Sequence, residues 1–257
     1  MGPLLSPPFF IDLAVMRKFA PPLAPLLPDE IYNLDCMDGF PLIPDKSVDL
    51  ILTDIPYSVV NRPSNGLRTL TKKKADRSTF ELGKFLEESV RVCRGSLYIF
   101  CGTEQVSFIR EFLVRSKLST RLLIWEKTNP SPMNGQSIWL SGIEVCVFGK
   151  FRGAPFNEHC RNTILRYPSG KSKIHPTQKP VEMFEYLVTV SSDPGDLVLD
   201  PCMGSGTTAL ACLRSGRHFI GFEKSKRFYQ ESLRRLRNGA GHRHQIRRTA
   251  RQAGDHS

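Results

Sequence analysis

Two short clusters in this chain combine residue types that can do chemistry. The first is TDIPYS, Thr53–Ser58, in which Asp54, Ile55, Pro56 and Tyr57 follow the apolar run VDLILT. An acid at the C-terminal end of a buried strand stands where α/β sheets place their ligands, and a neighbouring aromatic ring offers a flat surface for stacking. On these residues alone, Asp54 can equally cap a turn and Tyr57 can equally be a core aromatic. The second cluster is LVLDPCMGSGTTALA, Leu197–Ala211: an apolar strand, Asp200, a compact turn containing Gly204, Ser205 and Gly206, then a helix opening at Thr207.

Glycines at such a turn let the backbone pass close to a ligand, and the helix start presents unpaired N–H groups. A tight structural connection would look the same, so the stretch that follows matters. RHFIGFEK reads as a second strand ending in Glu223, and an acid there is placed to hold a ribose through its two hydroxyls. Thr207 and Thr208 follow Gly206, Ala209 stands where a third glycine would complete a dinucleotide fingerprint, and the lysine of a P-loop is missing. The turn therefore points to a nucleoside without phosphates.

The elements that position these clusters follow from periodicity. Buried-strand runs are expected at Val48–Thr53, Ser96–Cys101, Leu122–Trp125, Glu144–Phe148, Leu197–Leu199 and His218–Phe222. Helices are expected at Thr79–Val92, Glu104–Ser116, Pro180–Ser191, Thr207–Ser215 and Lys226–Arg237, with Pro180 in a first turn where its missing N–H costs little. Strands alternating with helices predict an α/β fold, a mostly parallel twisted sheet covered on both faces. The two strands near 122 and 144 lack an intervening helix and predict an antiparallel hairpin at one edge.

A hydrophobic content of 40% over 257 residues suffices for one sizeable domain. The net charge of +11 points to a polyanionic partner. Residues 1–28 carry seven prolines and read as a poorly ordered arm, 29–238 as the folded domain, and 239–257 as a basic tail. The loop at 61–77, with Arg62, Arg68 and Lys72, Lys73 and Lys74, either tracks phosphates or is a solvated basic loop. Seven cysteines without a C-x-x-C pair suggest buried thiols in a reducing compartment, and no metal site is expected. No apolar run approaches the ~18 residues that cross a bilayer, so no membrane is expected.

Taken together, the Asp-x-Pro-Tyr turn, the DPCMGSGTT turn and KIHPTQKPVEMFEYLV, Lys173–Val188, closely resemble the amino-methyltransferases that act on DNA. The approach IYNLDCMDGFPLIPDKSVDLILTD resembles that family's lead into its catalytic motif. The catalytic turn precedes the cofactor turn, as in the permuted, β-type group. The resemblance spans about Ile31 to Leu236, and its most specific segment is His-Pro-Thr-Gln-Lys-Pro. It implies a Rossmann-like class I methyltransferase fold in circularly permuted order and S-adenosylmethionine as cofactor.

The resemblance also implies roles. Asp54 and the carbonyl of Ile55 would accept the two N–H bonds of an exocyclic amino group, Pro56 would fix the turn, and Tyr57 would stack on a flipped base. Ile55 replaces the family's usual first proline and gives up some φ restraint. Asp200, Gly204, Ser205, Gly206 and Thr207 would line the methionine portion, with Asp54 bordering it and Glu223 on the ribose. Asp35 and Cys36 would sit near the cofactor adenine, and His175, Thr177 and Lys179 would close the pocket. The segment WEKTNPSPM makes Asn129 and Pro130 candidates for packing the flipped base.

The implied substrate is double-stranded DNA at N6 of adenine, because the N4-cytosine group typically carries Ser in place of Asp54. N4-cytosine methylation is the nearest alternative, followed by an RNA methyltransferase and a catalytically silent DNA-binding module. A recognition insert within about 131–173 would be short, predicting a short or relaxed target. A homodimer, a cytoplasmic protein of a prokaryote or phage, a restriction partner and initiation at Met16 are expectations by analogy.

Overall fold

The computed structural model describes residues 26–57, 80–132, 135–170 and 178–238. Within these the strands are β1 (Glu30–Tyr32), β2 (Val48–Asp54), β3 (Cys93–Cys101), β4 (Ser119–Lys127), β5 (Ile143–Lys150), β6 (Ile164–Tyr167), β7 (Leu197–Asp200) and β8 (His218–Phe222). The helices are α1 (Cys36–Gly39), α2 (Leu82–Val92), α3 (Val106–Arg115), α4 (Val181–Ser191), α5 (Thr207–Ser215) and α6 over 226–238. Pro180 is the N-cap of α4 rather than its first helical residue.

One eight-stranded sheet runs in the order β1-β8-β7-β2-β3-β5-β4-β6. Every neighbouring pair is parallel except the two made by β5, which therefore runs against all the others. The hairpin expected near 122 and 144 is β4–β5 and is antiparallel. Its outer side is covered by β6, a four-residue strand whose sequence, ILRY, has too short an alternation to be recognised in advance.

Side-chain alternation along the central strand builds two cores. In β2, Leu50 and Leu52 point to one face and join Val198, Phe184, Leu187, Ala209 and Cys212, the face covered by α4 and α5. Ile51 and Ile55 point to the other and join Phe85, Leu86, Ile99 and Ile109, the face covered by α2 and α3. Fully burying each such side chain contributes about 1.5–3 kcal/mol. The run VDLILT is apolar without alternation because both of its faces are covered.

The connections diverge at the centre of the sheet. From β2 the chain crosses through α2 to β3, whereas from β7 it crosses through α5, on the opposite face, to β8. The boundary between β2 and β7 is thus a topological switch point, where the carboxyl ends of an open sheet leave a crevice. Leu50 pairs with Val198 and Ile51 with Leu199, a register that sets Asp200 level with Leu52, so β7 ends beside β2 two residues short of Asp54 and the two turns adjoin at that edge.

Among the described residues, no helix is long and apolar enough to cross a membrane. The cysteines are free thiols: Cys36, Cys93, Cys101, Cys146 and Cys212 are buried, Cys202 is half-buried and Cys160 is exposed. Cys160 departs from the expected burial because it lies in the irregular connection between β5 and β6. The Pro-rich arm to residue 25, the basic loop over 58–79, and the tail over 239–257 lie outside the described residues.

Candidate active site

Asp54 ends β2, and Ile55 anchors the turn beyond it by donating its N–H to the Phe100 carbonyl of β3 at 3.1 Å. The Ile55 side chain is buried in the core beneath. Burial thus restrains the turn at the position where a proline ring would have restrained φ. The Pro56 carbonyl accepts from Gln105 Nε2 at 3.2 Å, and Gln105 Oε1 accepts the Gly102 N–H at 2.8 Å, tying the turn to the end of β3.

Four charged groups meet at this turn. Lys179 Nζ lies 2.5 Å from Asp54 Oδ2 and 2.9 Å from Glu144 Oε2, and Lys127 Nζ lies 2.8 Å from Glu144 Oε1. The Tyr57 hydroxyl lies within donating distance of both carboxylates, 3.0 Å from Asp54 Oδ1 and 3.2 Å from Glu144 Oε2. The Lys179 side chain is only 3% exposed, whereas Asp54 keeps 26%, so the carboxylate rather than the ammonium faces the crevice.

Burial pushes the Asp54 carboxyl above its ordinary value, with Glu144 adding to the shift and Lys179 and Tyr57 opposing it. Burial also acts to raise Glu144, but Lys179 and Lys127 outweigh it and hold that carboxyl below its ordinary value. Burial acts to neutralise Lys179, yet Asp54 and Glu144 outweigh it and keep the ammonium charged. Burial, reinforced by the two carboxylates, pushes the Tyr57 phenol well up, so it remains a donor.

Beside this turn lies the glycine turn. Gly206 precedes α5 with φ 80°, a left-handed conformation that favours glycine, and a Cβ there would also press on Ser232 at 3.1 Å. Asp200 is buried and accepts the Thr208 hydroxyl at 2.5 Å and the Cys202 N–H at 3.1 Å. Burial pushes its carboxyl up to about 7. Glu223 accepts the Gly204 N–H at 2.9 Å and the Ser225 N–H at 2.7 Å. One nitrogen of Arg235, on α6, donates to the Ser205 carbonyl and hydroxyl at 3.1 Å and to the Thr207 hydroxyl at 3.0 Å.

Known proteins resemble this chain in sequence and in fold. The N6/N4 methyltransferase family model, described as DNA methylase, matches residues 135–234. Over 243 residues the chain is 29% identical to "DNA adenine methyltransferase YhdJ" of Escherichia coli (strain K12), covering 80% of this chain and 82% of that protein. It is 28% identical over 205 residues to "Putative methylase YubD" of the same organism, covering 79% and 87%. The crystal structure of the M1.HpyAVI–SAM complex superposes with a TM-score of 0.64 at 28% identity, over 80% of this chain and 98% of that one.

Residues 135–234 match the N6/N4 DNA methylase family, and the chain is similar over about four-fifths of its length to amino DNA methyltransferases. The cytosine-N4-specific PvuII DNA methyltransferase, at 19% identity and a TM-score of 0.62, shares the fold over 79% of this chain and 84% of that one. The fold is the Rossmann-like class I methyltransferase sheet.

Of the residues singled out in the sequence, Asp54, Ile55, Pro56 and Tyr57 form one turn, and Asp200, Gly204, Ser205, Gly206, Thr207 and Glu223 form the other. Cys36 is buried at the start of α1, its thiol against that of Cys202 in the glycine turn, and Asp35 caps α1 by accepting the Met37 N–H at 3.0 Å. Lys179, expected to help close the cofactor pocket that Asp54 borders, reaches the Asp54 carboxylate. Asn129 accepts the Ser169 N–H at 2.6 Å and donates to the Ser169 carbonyl at 3.3 Å, joining two loops. Pro130 lies beside Gly142 at the base of the β4–β5 connection. Arg62, Arg68, Lys72, Lys73, Lys74, His175 and Thr177 lie outside the described residues.

Sequence reasoning missed Lys127, Glu144, Gln105 and Arg235. Glu144 is one acid opening the apolar strand IEVCVFGK, a pattern that reads as a solvated strand end. Lys127 becomes its partner only through the β4–β5 register, in which Trp125 stands opposite Glu144. Arg235 sits in a helix rich in basic residues, where nothing distinguishes it from its solvated neighbours.

Proposed function

We propose that the chain methylates N6 of adenine in double-stranded DNA, with Asp54 and the Ile55 carbonyl as acceptors for the target amino group. Similarity to DNA amino-methyltransferases over about four-fifths of the chain supports the broader class, an S-adenosylmethionine-dependent DNA amino-methyltransferase. Its glycine turn fits that cofactor. Both oxygens of Glu223 are oriented by backbone N–H groups at the end of β8, where a ribose would be held, and the turn offers no lysine for phosphates. The single observation that carries the reading is the adjacency of the two turns at the β2–β7 switch point, which sets an acceptor carboxylate beside a nucleoside site.

When bound, the cofactor supplies an electrophilic methyl on its sulfonium. An adenine amino group is a poor nucleophile because its lone pair is delocalised into the ring. Asp54 and Ile55, each accepting one N–H bond, localise that lone pair as the nitrogen becomes tetrahedral, so their stabilisation grows toward the transition state. Tyr57, its hydroxyl held by Asp54 and Glu144, presents a ring on which a flipped base stacks. Glu223 and the turn from Asp200 to Thr207 hold the donor in line, and Pro56 and Gln105 keep the acceptor turn from drifting.

Adenine is preferred over cytosine on the carboxylate at position 54 and on the similarity to an adenine enzyme at 29% identity. The test is incubation of the full chain with unmethylated plasmid and labelled S-adenosylmethionine, followed by nucleoside analysis. N6-methyladenine absent from an Asp54→Ala control is the expected result; N4-methylcytosine would overturn the base assignment.

A further inference from the structure

We propose that Glu144, the acid opening β5, is a positioning residue that shares Lys179 and Tyr57 with Asp54 and so keeps the Asp54 carboxylate open to the target amino group. The inference rests on the reading of Asp54 given above and adds the device that makes that carboxylate usable. In an isolated Asp54–Lys179 pair, a buried ammonium would hold its carboxylate tightly and compete with an incoming N–H donor. Here the ammonium lies between two acids, 2.5 Å from Asp54 and 2.9 Å from Glu144, and the Tyr57 hydroxyl is shared in the same way, at 3.0 Å and 3.2 Å.

Glu144 can take this share because Lys127 balances its charge from the other side at 2.8 Å. The four side chains come from β2, β4, β5 and the segment entering α4, so their order, Asp54, Lys179, Glu144, Lys127, is set by the sheet rather than by local sequence. The alternation of signs leaves the cluster neutral. The Tyr57 hydroxyl is engaged by the two acids of the cluster.

The measurement is the pH dependence of steady-state methylation by the full chain, together with cofactor binding, for wild type, Glu144→Gln and Lys127→Met. Groups facing Asp54 are Lys179, Glu144 and Tyr57, with Asp200 beside it at the end of β7, Cys101 on β3 and Cys146 on β5. Removing the Glu144 charge lets Lys179 settle on Asp54. kcat should fall by on the order of tenfold or more, cofactor affinity should change less than about twofold, and the acid limb should move down. Removing Lys127 leaves Lys179 as the cation against both Glu144 and Asp54 and should move the same limb up.

Opposite shifts in the two variants support the proposal. A Glu144→Gln enzyme with unchanged kcat and limb would overturn it, as would two variants that lose only thermal stability. Lys127→Met, at the outer end of the cluster, keeps the test available should Glu144→Gln fail to fold. Wild-type methylation decides the underlying reading separately: an inactive wild type sinks that reading, whereas an active wild type with indifferent variants sinks only the role of Glu144.

Discussion

The Glu223 carboxylate accepts the backbone N–H of Gly204 at 2.9 Å, so the acid that ends β8 and the turn that ends β7 are one unit. The bond fixes the carboxylate before any ligand arrives, and the Ser225 N–H fixes its second oxygen. A charge-assisted hydrogen bond of this kind contributes about 1.5–3 kcal/mol. Glu223→Ala should therefore weaken S-adenosylmethionine binding by on the order of a hundredfold and lower thermal stability, measured by calorimetry. Glu223→Gln should retain part of the affinity, since its amide oxygen can still accept one N–H. An alanine variant that binds the cofactor like wild type would exclude Glu223 from the ribose site.

Asp200 couples the glycine turn to pH. Burial pushes its carboxyl up to about 7, against an unfolded value of 3.8. Between those values the folded state binds more protons than the unfolded one, so stability falls as pH rises through the window. The full shift corresponds to roughly 4 kcal/mol at most. Asp200→Asn keeps an acceptor for the Cys202 N–H and removes the titration. Its unfolding free energy from urea titrations should decline less steeply than that of wild type from about pH 4 to about pH 8. Parallel profiles would show that Asp200 is not the group responsible.

How much of this was legible in the sequence depends on whether a residue acts through its neighbours in the chain or across the sheet. Asp54, Tyr57, Gly206 and Glu223 each lie at the end of a strand or the start of a helix, and strand, turn and helix are written locally, so their places could be read from spacing. The antiparallel β4–β5 pair was legible too, because no helix separates the two strands. Glu144 and Lys127 were not, since their partnership exists only through register, and register is set by packing rather than by either strand alone. Lys179 was recognised as a site residue, but its placement on Asp54 required knowing that α4 enters beside β2. The strand β6, four residues long and half-exposed, carries too little pattern to announce itself.

Gly206 tests the turn through the backbone. Its φ of 80° is the left-handed conformation, and a Cβ would approach that of Ser232 at 3.1 Å. Gly206→Ala should destabilise the fold by about 1–2 kcal/mol from the backbone alone. Relief of the contact requires α6 to move away from the turn. Cofactor affinity should fall together with the denaturation midpoint, and a Ser232→Gly substitution in the same chain should recover part of both. A fully stable, fully binding alanine variant would mean that the turn tolerates the side chain and that its conformation is not what holds the ligand.

Arg235 reaches from α6 into the same turn and holds Ser205 and Thr207 with one nitrogen, at 3.0–3.1 Å. Burial lowers its guanidinium to about 10, with Arg214 adding to the shift, so it stays charged at neutral pH. Three acceptors on one cation tie Ser205 and Thr207 to α6 and so hold in place the turn proposed to line the methionine end of the cofactor. Arg235→Ala should raise the dissociation constant for S-adenosylmethionine by on the order of tenfold, equivalent to about 1.4 kcal/mol. It should leave kcat at saturating cofactor nearly unchanged, because Asp54, Ile55 and Tyr57 are positioned from β3 and β5 rather than from α6. Arg235→Lys should restore part of the affinity, since an ammonium can still reach one or two of the acceptors. A loss confined to kcat would place Arg235 in the chemistry and not in the shaping of the turn.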